Sequence, residues 1–527
     1  MKFVKAHRLL PAVVFFGLAG LSQAQAQDSP VGASKTPMPS IISEIKALQE
    51  EKQSLDLRLK ALESRTPQLA AASSQGVQEG DAGPGLRDVV VPLELGNEYF
   101  NDESRWVEFS NFSGSALFRF SGFVGAQFNF YPGSPGASLL GGLPSGGVRE
   151  DFNGFLTSAK VDFGAEFDRV VGLSIGLQNE NVSTGGSQFS VPVSIGISDA
   201  FLYLKLDPAF VLTAGKFTNI LSLEALQTPS NQLFAAPSMV SNLVPGMDLG
   251  IMLSGGVDKV FDYAIEFADG EQDHETFYTG AVADKPGQPP ADLTARVFAE
   301  PFRDSDNGNL KGLGFGFAAA WDNETKGSSN GVTTSPDNKP WPNNQTSLGQ
   351  NEFLIYNSYS GVIAQGDFYH WDPQFYYYNG SFGAQGEFVQ SIQTVGFGGS
   401  KPSVELVNSA WLLEASWAFG GTTSFEGVHV GKPFNLERGQ WGALEVAARV
   451  HSFYADPNSF VTGASFDNGS TSLAEGPQEA FAYGFGANWW LNDHFKTQLD
   501  WEETDFSGGN LVLNPEQVFS IRAALLI

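Results

Sequence analysis

The chain contains no cysteine. That excludes a disulfide framework, thiolate chemistry and a lipid anchor built on a thiol. It is also short of basic residues: 30 Lys and Arg stand against 58 Asp and Glu, for a formal net charge of −28. A nucleic-acid partner would need a basic footprint, so none is expected. No window supplies the about 18 consecutive apolar residues of a membrane-spanning helix. The six histidines, His7, His274, His370, His429, His451 and His494, are dispersed without ligand spacing, so no metal or other cofactor is expected. Asp304-Ser305-Asp306-Asn307-Gly308 is one residue short of the EF-hand pattern and reads as a polar turn. Glu271, Asp273 and Glu275 around His274 read as a solvated loop face. A phosphate-cradling glycine loop, a nucleophile elbow and a catalytic carboxylate pair are all missing, so the chain reads as no enzyme.

What is present begins with Lys2, Lys5 and Arg8, an apolar core from Leu9 to Leu21, and Ala24-Gln25-Ala26. This is the layout of a secretory signal peptide, residues 1–26, and places the mature chain outside the cytoplasm. Removing its three basic and no acidic residues takes the charge from −28 to −31. After a flexible lead over 27–40 comes a helix over 41–65. Ile41, Ile45, Leu48, Leu55, Leu59 and Leu62 fill a and d positions of three heptads, with Lys52 at one a site. So short a coiled coil needs a partner or a linked oligomer. Residues 66–104, rich in Ala, Gly, Ser and Gln, read as a linker.

From residue 105 to 527 the pattern has a period of two. Aromatics at 13%, 60 glycines and 17% charged residues fit many strands and turns better than helices, and in successive segments apolar side chains alternate with small or polar ones. Phe118, Phe120, Val124, Ala126, Phe128 and Phe130 oppose Arg119, Ser121, Gly125, Gln127 and Asn129. Val161, Phe163, Ala165 and Phe167 oppose Lys160, Asp162, Gly164 and Glu166. After a tight turn at Asp168-Arg169 the chain returns as Val171, Leu173, Ile175 and Leu177. The same alternation runs through Trp411–Phe419, Leu444–Val450, Phe481–Trp489 and Phe519–Ile527. Such strands put one set of side chains on each face. With Gly, Glu, Arg and Asn on the second face and aromatics near strand ends, lipid lies on one side and a polar lumen on the other.

Counting segments gives an all-β fold, a transmembrane antiparallel β-barrel of about 16 strands, preceded by the short periplasmic coiled-coil helix. Short turns (Asp207-Pro208, Asn379-Gly380, Leu491 to His494) alternate with long polar loops (131–156, 219–246, 322–352, 454–478). The connector Gly420–Gln440 is too long for a short turn and fits this scheme worst. An open sheet edge finds no hydrogen-bond partner in lipid, so the strands must close on themselves. About sixteen strands leave a water-filled lumen. Lys160, Asp162, Glu166, Lys205, Glu414, Glu445, Arg449 and Arg522 fall on the polar phase and are candidate pore-lining residues. Lys216 is a further candidate whose phase Ala214 and Gly215 blur. A channel for small hydrophilic solutes or ions in an outer membrane is the expected function. A barrel acting as adhesin or anchor through its long loops is the alternative.

Four segments resemble the phosphate-selective porin O and P family: Leu212–Leu226 (LTAGKFTNILSLEAL), Tyr377–Phe388 (YYNGSFGAQGEF), Lys432–Val450 (KPFNLERGQWGALEVAARV) and Ala487–Phe506 (ANWWLNDHFKTQLDWEETDF). The resemblance implies a sixteen-stranded homotrimeric porin of a Gram-negative outer membrane, with one external loop folded inward to constrict the pore. It also implies an N-terminal periplasmic coiled coil in many members. Two departures stand out. The family's phosphate-selective members line the constriction with Arg and Lys, whereas residues 218–258 hold neither, and the candidate constriction loop from Thr218 to Gly246 carries Glu224. The last residue is Ile527, where such barrels usually end in Phe or Trp. The charge balance therefore predicts a weakly selective pore.

Overall fold

The computed structural model describes residues 107–110, 116–132, 154–181, 193–257, 260–268, 292–323, 344–357, 362–397, 402–461 and 472–526. The signal peptide, the lead, the heptad helix, the linker and the acidic stretch around His274 lie outside them. Sixteen long strands form one antiparallel sheet closed into a barrel. They are β1 (Ala116–Phe130), β2 (Gly154–Phe167), β3 (Val171–Asn181), β4 (Val193–Asp207), β5 (Phe210–Thr218), β6 (Met247–Val257), β7 (Phe261–Ala268) and β8 (Asp292–Ala299). The second half comprises β9 (Leu313–Asn323), β10 (Ile363–Asn379), β11 (Phe382–Gly396), β12 (Ser403–Phe419), β13 (Ala443–Tyr454), β14 (Glu479–Asn492), β15 (Phe495–Ser507) and β16 (Glu516–Leu526).

The exposure pattern inverts that of a soluble sheet. Phe163, Ile175, Leu202, Leu249, Ile251, Phe315, Trp417 and Phe485 point outward and are exposed, while Asp162, Ser174, Asp248, Thr294, Glu414 and Arg449 on the alternate rows are buried. Outward aromatics pair across strands, Phe120 with Phe163 at 5.4 Å and Phe485 stacked on Trp501 at 6.1 Å. A face that water would punish is one that hydrocarbon accepts.

Closure occurs where β16 meets β1, from Phe123↔Leu526 to Phe130↔Phe519. The lower part of β1 extends beyond the end of β16. Val107–Ser110 pairs there, from Val107↔Phe120 to Ser110↔Leu117, and covers that edge. The β2–β3 turn holds Asp168 at φ 50° and Arg169 at φ 58°, with Val170 N donating to Phe167 O at 3.0 Å. Two consecutive left-handed residues make the hairpin turn whose twist matches its strands. Asp304–Gly308 lies in the largely exposed turn between β8 and β9.

The awkward connector is a structured element. Between Gly420 and Gly442, at φ 89° and 77°, Gly421–Ser424 pairs with Gly427–Val430 as a small hairpin.

Candidate functional site: the barrel interior

The segment between β5 and β6, residues 219–246, lies inside the barrel against the inner faces of β11 to β16. Its short 3-10 turns, Glu224–Leu226 and Met239–Leu243, are largely buried. Met239, Val240 and Leu243 pack on an apolar part of the inner wall made by Val389, Leu406, Ala410, Leu412 and Phe453. Residues 344–357, from the long β9–β10 connection, close over the same segment. Asn242 and Gln345 exchange hydrogen bonds of 2.8 and 3.0 Å, and Ser347 Oγ donates to Pro237 O at 2.7 Å. Asn129 Nδ2 carries this layer to β1 by donating to Leu348 O at 3.1 Å.

Charged side chains on the inner wall hold the backbone of this loop. Arg522 Nη1 donates to Pro229 O at 3.2 Å, Lys496 Nζ to Gln232 O at 2.9 Å, and Arg449 Nη1 to Ala236 O at 2.8 Å. Carboxylates take the amides. Glu387 accepts from Ser222 Oγ at 3.0 Å and Leu223 N at 2.7 Å, and Asp500 accepts from Ala235 N at 2.9 Å. Asn219 donates to Asp248 at 2.5 Å where the loop begins. A buried backbone polar group without a partner costs about 1–3 kcal/mol, so these bonds fix the loop's position along its length. Glu224 belongs to the loop itself and accepts from Ser238 N at 2.8 Å and Ser238 Oγ at 2.6 Å. Burial pushes its carboxyl above the usual carboxylate range, with Arg449 opposing the shift and Glu387 adding to it.

The sequence-predicted residues fall into groups. Lys160 bridges Asp162 at 3.1 Å and Asp199 at 2.7 Å. Glu166 accepts from Lys205 Nζ at 2.7 Å and Tyr203 Oη at 2.9 Å. Tyr203 lies across Gly172, where any Cβ would strike its ring. Glu414 accepts from Gln385 at 2.7 Å, and Glu445 from Asn488 at 3.1 Å and Trp490 Nε1 at 3.2 Å. Arg449 and Arg522 join Glu224 as parts of the loop's mounting. Lys216 does not stand with these inward residues. Lys216 alternates in phase with Leu212 and Ala214 on the outward row, opposite Leu249, and donates to Ile197 O at 3.0 Å.

Period-two reading found the inward phase but missed Asp199, Glu387, Lys496, Asp500 and Glu502. Asp199 is displaced by the register shift opposite Gly176/Leu177. Glu387, Lys496, Asp500 and Glu502 sit on regularly alternating strands, and their phase could have nominated them.

A closed sixteen-stranded barrel with apolar outward rows and a polar interior crossed by an inward loop is the architecture of an outer-membrane channel for passive diffusion. The phosphate-selective porin O and P family matches residues 159–508, and the chain belongs to that family. Among solved structures, it is similar to the outer membrane channel DcaP of Acinetobacter baumannii, with 10% identity and TM-score 0.44 over 80% of this chain and 99% of that one. It is also similar to OmpF of Salmonella typhi, with 10% identity and TM-score 0.46 over 80% of this chain and 100% of that one. A third likeness is to an anion-selective porin from Comamonas acidovorans, at 10% identity and TM-score 0.41 over 78% and 100% of the two chains. No curated protein sequence matches the chain.

Proposed function

We propose that this channel is a weakly selective porin for small hydrophilic solutes and ions, neutral or mildly cation-preferring, without a saturable phosphate site. It works as a homotrimer, exported by its signal peptide. Phosphate capture needs convergent cations, best of all guanidinium forks aimed at the same oxygens. The observation that carries the reading is where the inward cations point: Arg449, Lys496 and Arg522 each donate to a carbonyl of the loop, and Arg296 donates to Gln374 on the wall. Lys160 and Lys205 are paired with carboxylates. The loop adds no cation of its own, since residues 218–258 contain no Lys or Arg.

Reversal potentials of the reconstituted channel in a potassium chloride gradient test this, together with inorganic phosphate added during chloride conduction. The expected result is a reversal potential near zero or of cation sign, with no block at micromolar phosphate. A strong anion preference abolished by micromolar phosphate would overturn it.

A further inference from the structure

The small hairpin Gly421–Val430 enters the barrel from the short-turn rim. Val428 and Val430 are buried against Ala418, Ala443 and Trp490 on the inner wall, and Thr423 N donates to Gly380 O at 2.8 Å. Its tip, Phe425-Glu426, reaches the loop that enters between β5 and β6. Phe425 stacks on Tyr376 at 5.8 Å and 30°, and its carbonyl accepts from Gln227 Nε2 at 3.1 Å. Asn231 Nδ2 donates to Glu426 Oε2 at 3.4 Å. Two inserts, one rooted at each rim, therefore meet inside the lumen, with a carboxylate at the junction.

The charges around that junction differ in how they are held. Gln385 Nε2 donates to Gln227 Oε1 at 2.9 Å and to Glu414 at 2.7 Å, and Trp490, which packs with Val428 and Val430, donates to Glu445 at 3.2 Å. Glu414 and Glu445 are buried in the wall and bonded there. Glu426 is only half-buried. A partly exposed charge between low-dielectric walls acts on passing ions more strongly than one in open water.

We propose that Glu426 is a selectivity-determining residue, drawing cations to the junction of loop and hairpin and repelling anions from it. This rests on the weakly selective channel reading above. The test uses the full chain reconstituted in planar bilayers. At 0.1 M salt, where the Debye length is about 10 Å, Glu426→Gln should lower the potassium-to-chloride permeability ratio by about two-fold. Glu426→Lys should carry the shift further in the same direction. Glu437→Gln, on the exposed turn of the same connection, removes an equal charge and should leave the ratio unchanged. A ratio unmoved in both Glu426 variants, or moved equally by Glu437→Gln, would overturn the proposal. A wild-type channel that prefers anions would instead overturn the reading beneath it, and Glu426→Gln would still push the ratio further toward anions.

Discussion

Arg449 Nη2 lies 2.6 Å from Glu502 Oε2, with the two side chains 1% and 2% exposed. The same guanidinium donates to Ala236 O and to Ser347 Oγ, and its face covers the Phe234 ring at 4.2 Å. Glu502 also contacts His451 Nε2 at 3.1 Å and accepts from Leu348 N at 3.2 Å. One ion pair thus joins two inner strands to both inward segments. Its energetics follow from burial: attraction is strong because water is absent, and losing one partner strands the other.

Arg449→Met should accordingly cost about 3–5 kcal/mol, the usual consequence of leaving a buried charge unpaired. It should also raise single-channel conductance, because the loop loses its anchor at Ala236. Adding Glu502→Leu should recover part of the loss, giving less than the sum of the single effects. Urea unfolding in lipid vesicles measures the stabilities. A cost within the about 0–1 kcal/mol of an exposed pair would show that the loop is held by its other bonds.

The two-faced strands make a second expectation. Phe163 and Ile175 face each other on the outward rows of β2 and β3, whereas Gln178 stands exposed on the inward row. Cysteines at Phe163 and Leu173 should be protected from aqueous thiol reagents, and one at Gln178 should react. Asp162 shares the inward face but is buried beside Lys160, so a cysteine there should react more slowly than at Gln178. Equal labelling at Phe163, Leu173 and Gln178 would contradict the lipid-facing assignment. Phe163→Arg should cost up to about 2–4 kcal/mol, the range for an outward arginine near the bilayer midplane.

These expectations rest on what alternation encodes and what it does not. A period of two says which face a side chain takes, so strand phase, the Asp168-Arg169 turn and the inward direction of Lys160, Glu414 and Arg449 could all be read from the chain. It does not say which inward residues meet across the lumen. Arg522 and Pro229 are partners 293 positions apart, and nothing local marks either one. The inner wall also turns apolar at Val389, Leu406 and Leu412 to receive Met239–Leu243. There the polar-inward rule yields to packing. Lys216 shows the other limit: its small neighbours left the phase open, and regular alternation with Leu212 and Ala214 puts it on the outward row.

The heptads from Ile41 to Leu62 support a separate expectation about assembly. A three-heptad coiled coil is marginal alone and gains stability from association, so this segment should reinforce the proposed homotrimer. Deleting residues 27–86 while keeping the signal peptide should leave a heat-modifiable, folded barrel whose trimer dissociates at lower temperature on a semi-native gel. An unchanged dissociation temperature would assign the helix another role.

The last expectation concerns Glu224, whose surroundings include Arg449, Glu387, Glu414 and His451 as well as Ser238. Burial raises its folded-state pKa above the unfolded value. Its favourable contribution is therefore fully present below the unfolded pKa of about 4.3 and is lost as pH rises through the folded value. Wild-type thermal stability should contain a part that declines as pH rises above about 4.3. Glu224→Gln keeps the shape and an acceptor oxygen for Ser238 but cannot ionise. It should remove that part of the pH dependence and be at least as stable as wild type at neutral pH. Comparing the two proteins across pH reads this residue together with its interactions with Arg449, Glu387 and Glu414. A variant markedly less stable at neutral pH would show the opposite balance, with the ionised carboxylate's bonds to Ser238 and its attraction to Arg449 outweighing the cost of burying the charge.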